Sequence, residues 1–253
     1  MNKVIALITD FGYKDYYVGA IKAVIKSIAP DVELIDISHE IPHFSIWEGA
    51  FTAYYAFKFL PKNSVLLGIV DPSVGTSRKI IMAKTQDKWV IGPDNGLLYP
   101  ILSSETPDEV GAIDPKDFHS SNTFQGRDIM AKVAAKIAVG EEVRVSRIKR
   151  IKGLKGWSFV LKCTKVCHGK IIYVDSFGNL ISNIKSEAFR MRGKMKVALD
   201  NATFECVYSK NYSKEGVLIV PGGYGLIEIA ISKSSAASKL AAKIGSAIYI
   251  EKI

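Results

Sequence analysis

Residues Val65 to Arg78 read VLLGIVDPSVGTSR, an apolar run that ends in an acid, a turn and a base. Val65, Leu66, Leu67, Ile69 and Val70 form the short continuous apolar stretch expected of a strand covered on both faces. Asp71 stands where that strand ends. In open α/β sheets ligands bind outside the carboxyl ends of the strands, so an acid there, followed by Pro72, Gly75 and Arg78, reads as a site loop. Asp-Pro and Gly are also ordinary turn residues, and a polar turn closed by a surface ion pair fits the same spacing.

Upstream of this strand, Val4 to Ile8 is another apolar run, ending in Thr9-Asp10-Phe11-Gly12. Val18, Ile21, Ile25 and Ile28 then recur at helical spacing until Pro30. Val32 to Ile37 predicts a second strand, leading into Ser38-His39-Glu40-Ile41-Pro42-His43-Phe44, and Trp47 to Phe59 a second helix. The order β-α-β-α-β predicts right-handed crossovers and a mostly parallel sheet. Downstream, Lys79 to Thr85 and Lys88 to Ile91 read as a hairpin turning at Gln86-Asp87, at one side of that sheet. Gly92 to Gly96 is a dense turn cluster, Glu109 to Ile113 a further strand, and Ile129 to Val139 a small-residue helix.

Charge and glycine without a periodic face mark Glu141 to Trp157, which places a boundary near residue 150. Beyond it strands are predicted over Val160 to Val166, Lys170 to Val174, Met195 to Leu199, Ala202 to Val207, Gly216 to Val220, Leu226 to Ile231 and Ala247 to Ile250, with one helix over Ala236 to Ile244. The expectation is an α/β sandwich domain over residues 1–150, followed by a smaller β-barrel domain over 151–253.

With 253 residues, 48% of them hydrophobic, the chain can bury a sizeable core. No apolar run approaches the roughly 18 residues that span a bilayer, and the first residues lack a signal-peptide pattern, so a cytoplasmic protein is expected. The net charge of +9 comes largely from Arg144 to Lys155, where basic residues alternate with aliphatic ones. That pattern suits a solvated face or a linker, and nucleic acid is not expected as a partner. Cys163, Cys167 and Cys206 are too few and scattered for a disulfide framework. Read as strand, Cys163 and Cys167 lie about 13 Å apart, which favours structural thiols over a metal site with His168. Neither GxGxxG nor GxxxxGK[ST] occurs, which disfavours dinucleotide and nucleoside-triphosphate sites.

What remains is a series of polar clusters at strand ends: Asp10 with Phe11, Phe44, Asp71 with Arg78, Asp94-Asn95, the TFQGRD turn, and Asp175 to Asn179. The stretches ITDFGYKDYYVGAIKAVI, IDISHEIPHFSIWEGAF, VDPSVGTSRK, GPDNGLL, NTFQGRDIMA, YVDSFGNLISNI and LIEIAISKSSAASKL resemble, in order, the blocks of the S-adenosylmethionine hydroxide adenosyltransferase family. That family is also called S-adenosylmethionine hydrolase and is related to the fluorinase and chlorinase enzymes. The resemblance implies an α/β domain plus a β-barrel, and an enzyme in which water displaces methionine from the 5′ carbon of S-adenosylmethionine. It further implies a homotrimer with the site at the subunit interface, and no cofactor or metal.

The resemblance puts Asp71 and Arg78 on the attacking water. The family's third water-holding residue is the His of TFHGRD, and here Gln125 takes its place, a side chain that orients water but takes no proton near neutral pH. By the same resemblance Asp10 holds the ribose hydroxyls, with Phe11, Phe44, Asn95 and Gly126 around the ligand. Asp175 and Asn179 take the methionine amino group, Phe177 is an aromatic wall, and Ser235 and Ala236 supply backbone groups to adenine. Gly222-Gly223-Tyr224-Gly225 stands where relatives often carry Asn-Ser. Two alternatives stay open: a non-catalytic binder of S-adenosylmethionine or adenosine, raised by Gln125, and a halogenase, disfavoured because those relatives carry an aromatic at the position of Asp71.

Overall fold

The computed structural model describes residues 3–253 apart from Gln86, Asp108, Ser120 and Asn201. It divides into two compact units, one ending at Gly156 and the other running from Trp157 to Ile253, where the sequence places the change at 150/151.

In the first unit the strands are β1 (Val4–Thr9), β2 (Glu33–Ser38), β3 (Val65–Ile69), β4 (Ile80–Lys84), β5 (Trp89–Pro93), β6 (Glu109–Ile113) and β7 (Ser146–Arg147). They form one sheet in the order β2-β1-β3-β5-β4-β6-β7. The β2, β1, β3 and β5 pairings are parallel, whereas β4 runs antiparallel to both β5 and β6, and β7 antiparallel to β6. The sheet is therefore mixed. The β4–β5 hairpin lies inside it, because β5 turns back to pair with β3; of its expected turn, Gln86 falls outside the described residues.

Alternate residues of the central strands feed two cores. Ile5, Leu7, Val65, Leu67 and Ile69 pack on one face with Ile21, Ile25 and Val133, from helices α1 (Tyr17–Ile28) and α4 (Ala131–Val139). On the other face Ala6, Ile8, Leu66 and Val70 meet Ala50, Ala53 and Ile101, from α2 (Ile46–Phe57) and α3 (Tyr99–Glu105). Both faces of β1 and β3 are covered, which is why their sequences run apolar without alternation. Ser45 caps the start of α2: its hydroxyl accepts from Glu48 N and donates to the Glu48 carboxylate.

The second unit is a closed barrel of β8 (Val166–Val174), β9 (Leu180–Lys185), β10 (Lys194–Leu199), β11 (Ala202–Tyr208), β12 (Val217–Pro221), β13 (Leu226–Ile231) and β14 (Ala247–Lys252). Its order is β10-β11-β12-β13-β9-β8-β14, closed by β14 on β10. Ile171, Leu180, Val197, Ile219, Ile229 and Ile250 fill the interior. The short α5 (Ala236–Lys239) stops before the expected Ile244.

Two sequence expectations are corrected here. Val160 to Val166 is not a strand: Val160 makes an isolated bridge to Ile184, and regular pairing begins only at Val166. The intervening residues turn back on themselves, so the Cys163 and Cys167 Cα atoms are 4.9 Å apart and the pair forms a disulfide. The 13 Å separation required an extended chain that this segment does not adopt. Only Cys206 remains a free, buried thiol, and burial pushes its pKa up to about 12. Strand β9 was not anticipated, because Leu180-Ile181-Ser182-Asn183-Ile184 reads as the tail of a polar loop until its partners β8 and β13 are known.

Candidate active site

Asp10 and Asp71 come together through sheet register. Thr9 pairs with Ile69 across the parallel β1–β3 ladder, so the residues that follow leave adjacent strands at the same end. Both acids line a cavity of about 590 Å³, within the range of small-molecule sites. Phe11, Tyr16, Tyr17, His43, Phe44, Phe124 and Gly126 line it as well.

Asp71 is clamped. Arg78 donates Nε to Asp71 Oδ2 at 2.8 Å and brings Nη2 to the same oxygen at 2.5 Å, both side chains being buried. Arg78 Nη2 also donates to Gln125 Oε1 at 2.6 Å. Among the described residues the other carboxylate oxygen, Oδ1, holds only the longer bonds from Ser73 N and Oγ, at 3.3 and 3.2 Å, and so retains acceptor capacity. Three residues expected together from sequence do meet, but Asp71 alone reaches the cavity wall, with Arg78 and Gln125 behind it.

Two glycines make this clamp possible. Gly75 turns the Asp71 loop with a φ of +78°, and a Cβ there would stand 2.6 Å from Asn122 O. Gly126 lets the chain entering α4 settle on Ile69, leaving 3.1 Å between a hypothetical Cβ and Ile69 Cγ2. Gln125 thereby arrives over the end of β3, at the start of a π-turn spanning Gly126–Met130.

Asp10 is held differently. Its Oδ2 accepts from Phe44 N at 2.8 Å, and its carbonyl oxygen lies 2.7 Å from His43 Nδ1. Burial raises the Asp10 pKa above the usual carboxylate value, opposed by the bond from Phe44. To make that bond Phe44 takes φ +67°, a conformation rare outside glycine, and its ring stands 71% exposed. Beneath this loop Thr9 Oγ1 lies 2.8 Å from His39 Nδ1 and accepts from Phe11 N at 3.3 Å. His39 Nε2 faces Asp36 Oδ1 at 3.2 Å, and Lys22 holds Oδ2 of the same acid at 2.6 Å. Burial acts to raise the Asp36 pKa, but the hydrogen bonds from Lys22 and His39 outweigh it and hold the group low. The buried His39 thus ties both neighbours of Asp10 to β2.

Asn95 lies elsewhere. Its amide donates to Val70 O at 2.8 Å and accepts from Leu97 N at 3.1 Å, so it braces the strand end before Asp71 and does not line the cavity.

The barrel has its own cavity, about 530 Å³, lined by Asp175, Phe177, Asn179, Tyr212 and Ser235 among others. Asp175 accepts from Phe177 N, Asn179 N and Asn179 Nδ2 at 2.8 to 3.0 Å, which shapes the loop and leaves the Phe177 ring 78% exposed. Ser235 caps α5 by accepting from Ser238 N. Tyr224 and Ala236 do not line this cavity. Ala236 is buried, and Tyr224 packs edge-on against Tyr173, its pKa pushed up to about 12 by burial and by neighbouring Tyr173, Asp175 and Glu228.

Three features on or just behind these walls were not singled out from sequence. Arg127 lies within the TFQGRD turn, Tyr16 and Tyr17 follow the first acid, and Glu228 is an acid inside an apolar strand, which was the available signal. Burial raises the Glu228 pKa while the hydroxyl of Tyr212, 2.7 Å away, pulls it back. Among the described residues no group of three or more His, Cys, Asp or Glu gathers as a metal site, and no helix is long and apolar enough to cross a membrane.

Comparison with known proteins identifies the family. The SAM hydroxide adenosyltransferase N-terminal domain profile matches residues 5–147 and the C-terminal domain profile residues 169–249. An (R)-S-adenosyl-L-methionine hydrolase from Methanocaldococcus jannaschii is 30% identical, over 89% of this chain and 87% of its own length. One from Thermus thermophilus is 28% identical over 94% and 95%. The crystal structure of an uncharacterized conserved protein from Thermotoga maritima superposes with a TM-score of 0.91 at 33% identity, covering 98% of this chain and 100% of that one. Two matched domain profiles in succession, each falling within one of the two units, place this chain in the SAM hydroxide adenosyltransferase family.

Proposed function

We propose that the chain hydrolyses S-adenosylmethionine to adenosine and L-methionine. The oxygen of water bonds to the ribose 5′ carbon, the carbon–sulfur bond breaks with its electron pair going to sulfur, and the proton passes to Asp71 and then to solvent. A sulfonium is a good leaving group, so the protein's task is to place one water in line and receive its proton. The observation that carries the reading is Asp71 on the cavity wall, clamped by Arg78 through Oδ2 with Oδ1 still able to accept, beside Asp10 at the end of the adjacent strand. The names of the relatives support the substrate.

In this reading Asp10 accepts from the vicinal ribose hydroxyls, Phe11 and Phe44 flank the ligand, and Gly126 and Asn95 keep the wall in place. Arg78 holds Asp71 in place for that proton, and Gln125 in turn holds Arg78. Asp175, Phe177, Asn179, Tyr224, Ser235 and Ala236 act on the methionine and adenine ends from a neighbouring subunit of a homotrimer, as the sequence resemblance implies. The reaction as written needs neither cofactor nor metal, and the proposed setting is the cytoplasm.

A second reading, a non-catalytic binder of the same ligand, is favoured by Gln125 alone. Incubation with S-adenosylmethionine across pH, with adenosine followed by chromatography, separates the two. Adenosine released by the native protein and abolished by Asp71→Ala establishes the hydrolase. Release gained only in Gln125→His means a binder, and silence from all variants sinks the assignment.

A further inference from the structure

The cavity in the first unit has an uneven charge. Asp10, Asp15 and Asp71 line it, and the single guanidinium on its wall is Arg127; no lysine lines it among the described residues. Asp71 is already paired with Arg78. Arg127 is fixed from two sides: its Nε donates to Asp128 Oδ1 at 2.6 Å, and its guanidinium lies over the Phe124 ring, 4.7 Å from the centroid. Asp128 is itself anchored by Ser121 N and Oγ at 2.8 and 2.9 Å. This hold uses one edge and one face of the guanidinium. The Nη groups make no hydrogen bond to the described residues, and the side chain stays 30% exposed at the cavity.

A planar guanidinium, preset by a carboxylate at one edge and an aromatic ring below, presents the fork that matches a carboxylate. We propose that Arg127 binds the α-carboxylate of the amino-acid arm of the ligand, and so makes the site specific for a substrate that carries one. This rests on the reading that S-adenosylmethionine is the substrate. That molecule has two cationic groups, the sulfonium and the ammonium, which suit a wall rich in aspartate. Its one anionic group is repelled by Asp10 and Asp15, and among the described residues lining this cavity the complementary charge is that of Arg127. His43, the imidazole on this wall, has its Nδ1 turned to the Asp10 carbonyl.

The test compares S-adenosylmethionine with its decarboxylated form, in which a primary amine remains and the carboxylate is gone. Adenosine release is measured for the native protein, Arg127→Met and Arg127→Lys. The native protein is expected to prefer the carboxylated substrate by about tenfold to a hundredfold in kcat/KM, the range for a hydrogen bond to a charged group. Arg127→Met is expected to lose that preference by raising KM for S-adenosylmethionine alone, with Arg127→Lys intermediate. The ratio between two substrates in one preparation does not depend on how much protein is folded. An Arg127→Met protein that keeps the native preference, or loses activity on both substrates equally, overturns the proposal. If the native protein releases no adenosine, the hydrolase reading fails separately, and the same comparison is made on dissociation constants, with the same outcomes deciding it.

Discussion

Arg78 Nη2 and Gln125 Oε1 are 2.6 Å apart although 47 residues separate them in the chain. Arginine only donates, so the amide must turn its oxygen to Arg78 and its NH2 away. Gln125 is therefore a donor toward anything beyond the clamp, and Asp71 is left as the group in it that can take a proton. Arg78→Lys replaces a fork with a single point charge that cannot serve Asp71 and Gln125 in the same geometry. The expected outcome is a fall in kcat of at least about tenfold with KM changed little, read from adenosine release.

Phe44 combines a strained backbone with an exposed ring. Phe44→Gly keeps the N–H that serves Asp10 and removes the strain of φ +67°. The thermal midpoint is expected to stay level or rise while KM for S-adenosylmethionine increases by about tenfold through loss of the aromatic wall. A KM unchanged by this substitution removes Phe44 from the ligand site.

His39 is 1% exposed, and its Nδ1 lies 2.8 Å from Thr9 Oγ1. His39→Leu leaves the Thr9 hydroxyl without this hydrogen-bond partner and Asp36 without one of its partners, at a cost of about 1–3 kcal/mol in denaturant unfolding. Because Thr9 and Phe11 flank Asp10, KM should rise as well. A stability loss with native KM would confine His39 to a structural role.

Asp128 has its pKa lowered from 3.8 to about 2: burial works against ionisation, but the bonds from Arg127 and Ser121 outweigh it. A depressed folded-state pKa contributes stability that is complete above the unfolded value and is lost as pH falls. The group should therefore contribute about 2 kcal/mol near neutral pH, fading between roughly pH 4 and pH 2. Asp128→Asn is expected to flatten that part of the stability profile in urea titrations at successive pH values. An unchanged profile refutes the assignment.

Much of the first unit was legible in its sequence because the signals are local. A strand buried on both faces reads as an unbroken apolar run, a helix as a repeat of three and four, and the acids at 10 and 71 announce themselves by following such runs. The ordered blocks carried the family without any coordinates. The direction of β4, the pairing of β9 and the turn that joins Cys163 to Cys167 were not readable in this way. Each depends on which distant segment offers hydrogen-bond partners or space, and no periodicity encodes that.

The candidate site divides along the same line. Sequence alone determined that Asp10, Asp71, Arg78 and a glutamine in the TFQGRD turn were the residues to watch. Tertiary structure decided that Thr9 and Ile69 share a register, which sets the two acids side by side, and that Gly126 rests on Ile69, which brings Gln125 to Arg78. It also turned Asn95 to the backbone of Val70 and left Arg127 on the cavity wall. Residue chemistry is a property of the chain, but the partner that each polar group finds follows from strand register and close packing, which exist only once the chain is folded.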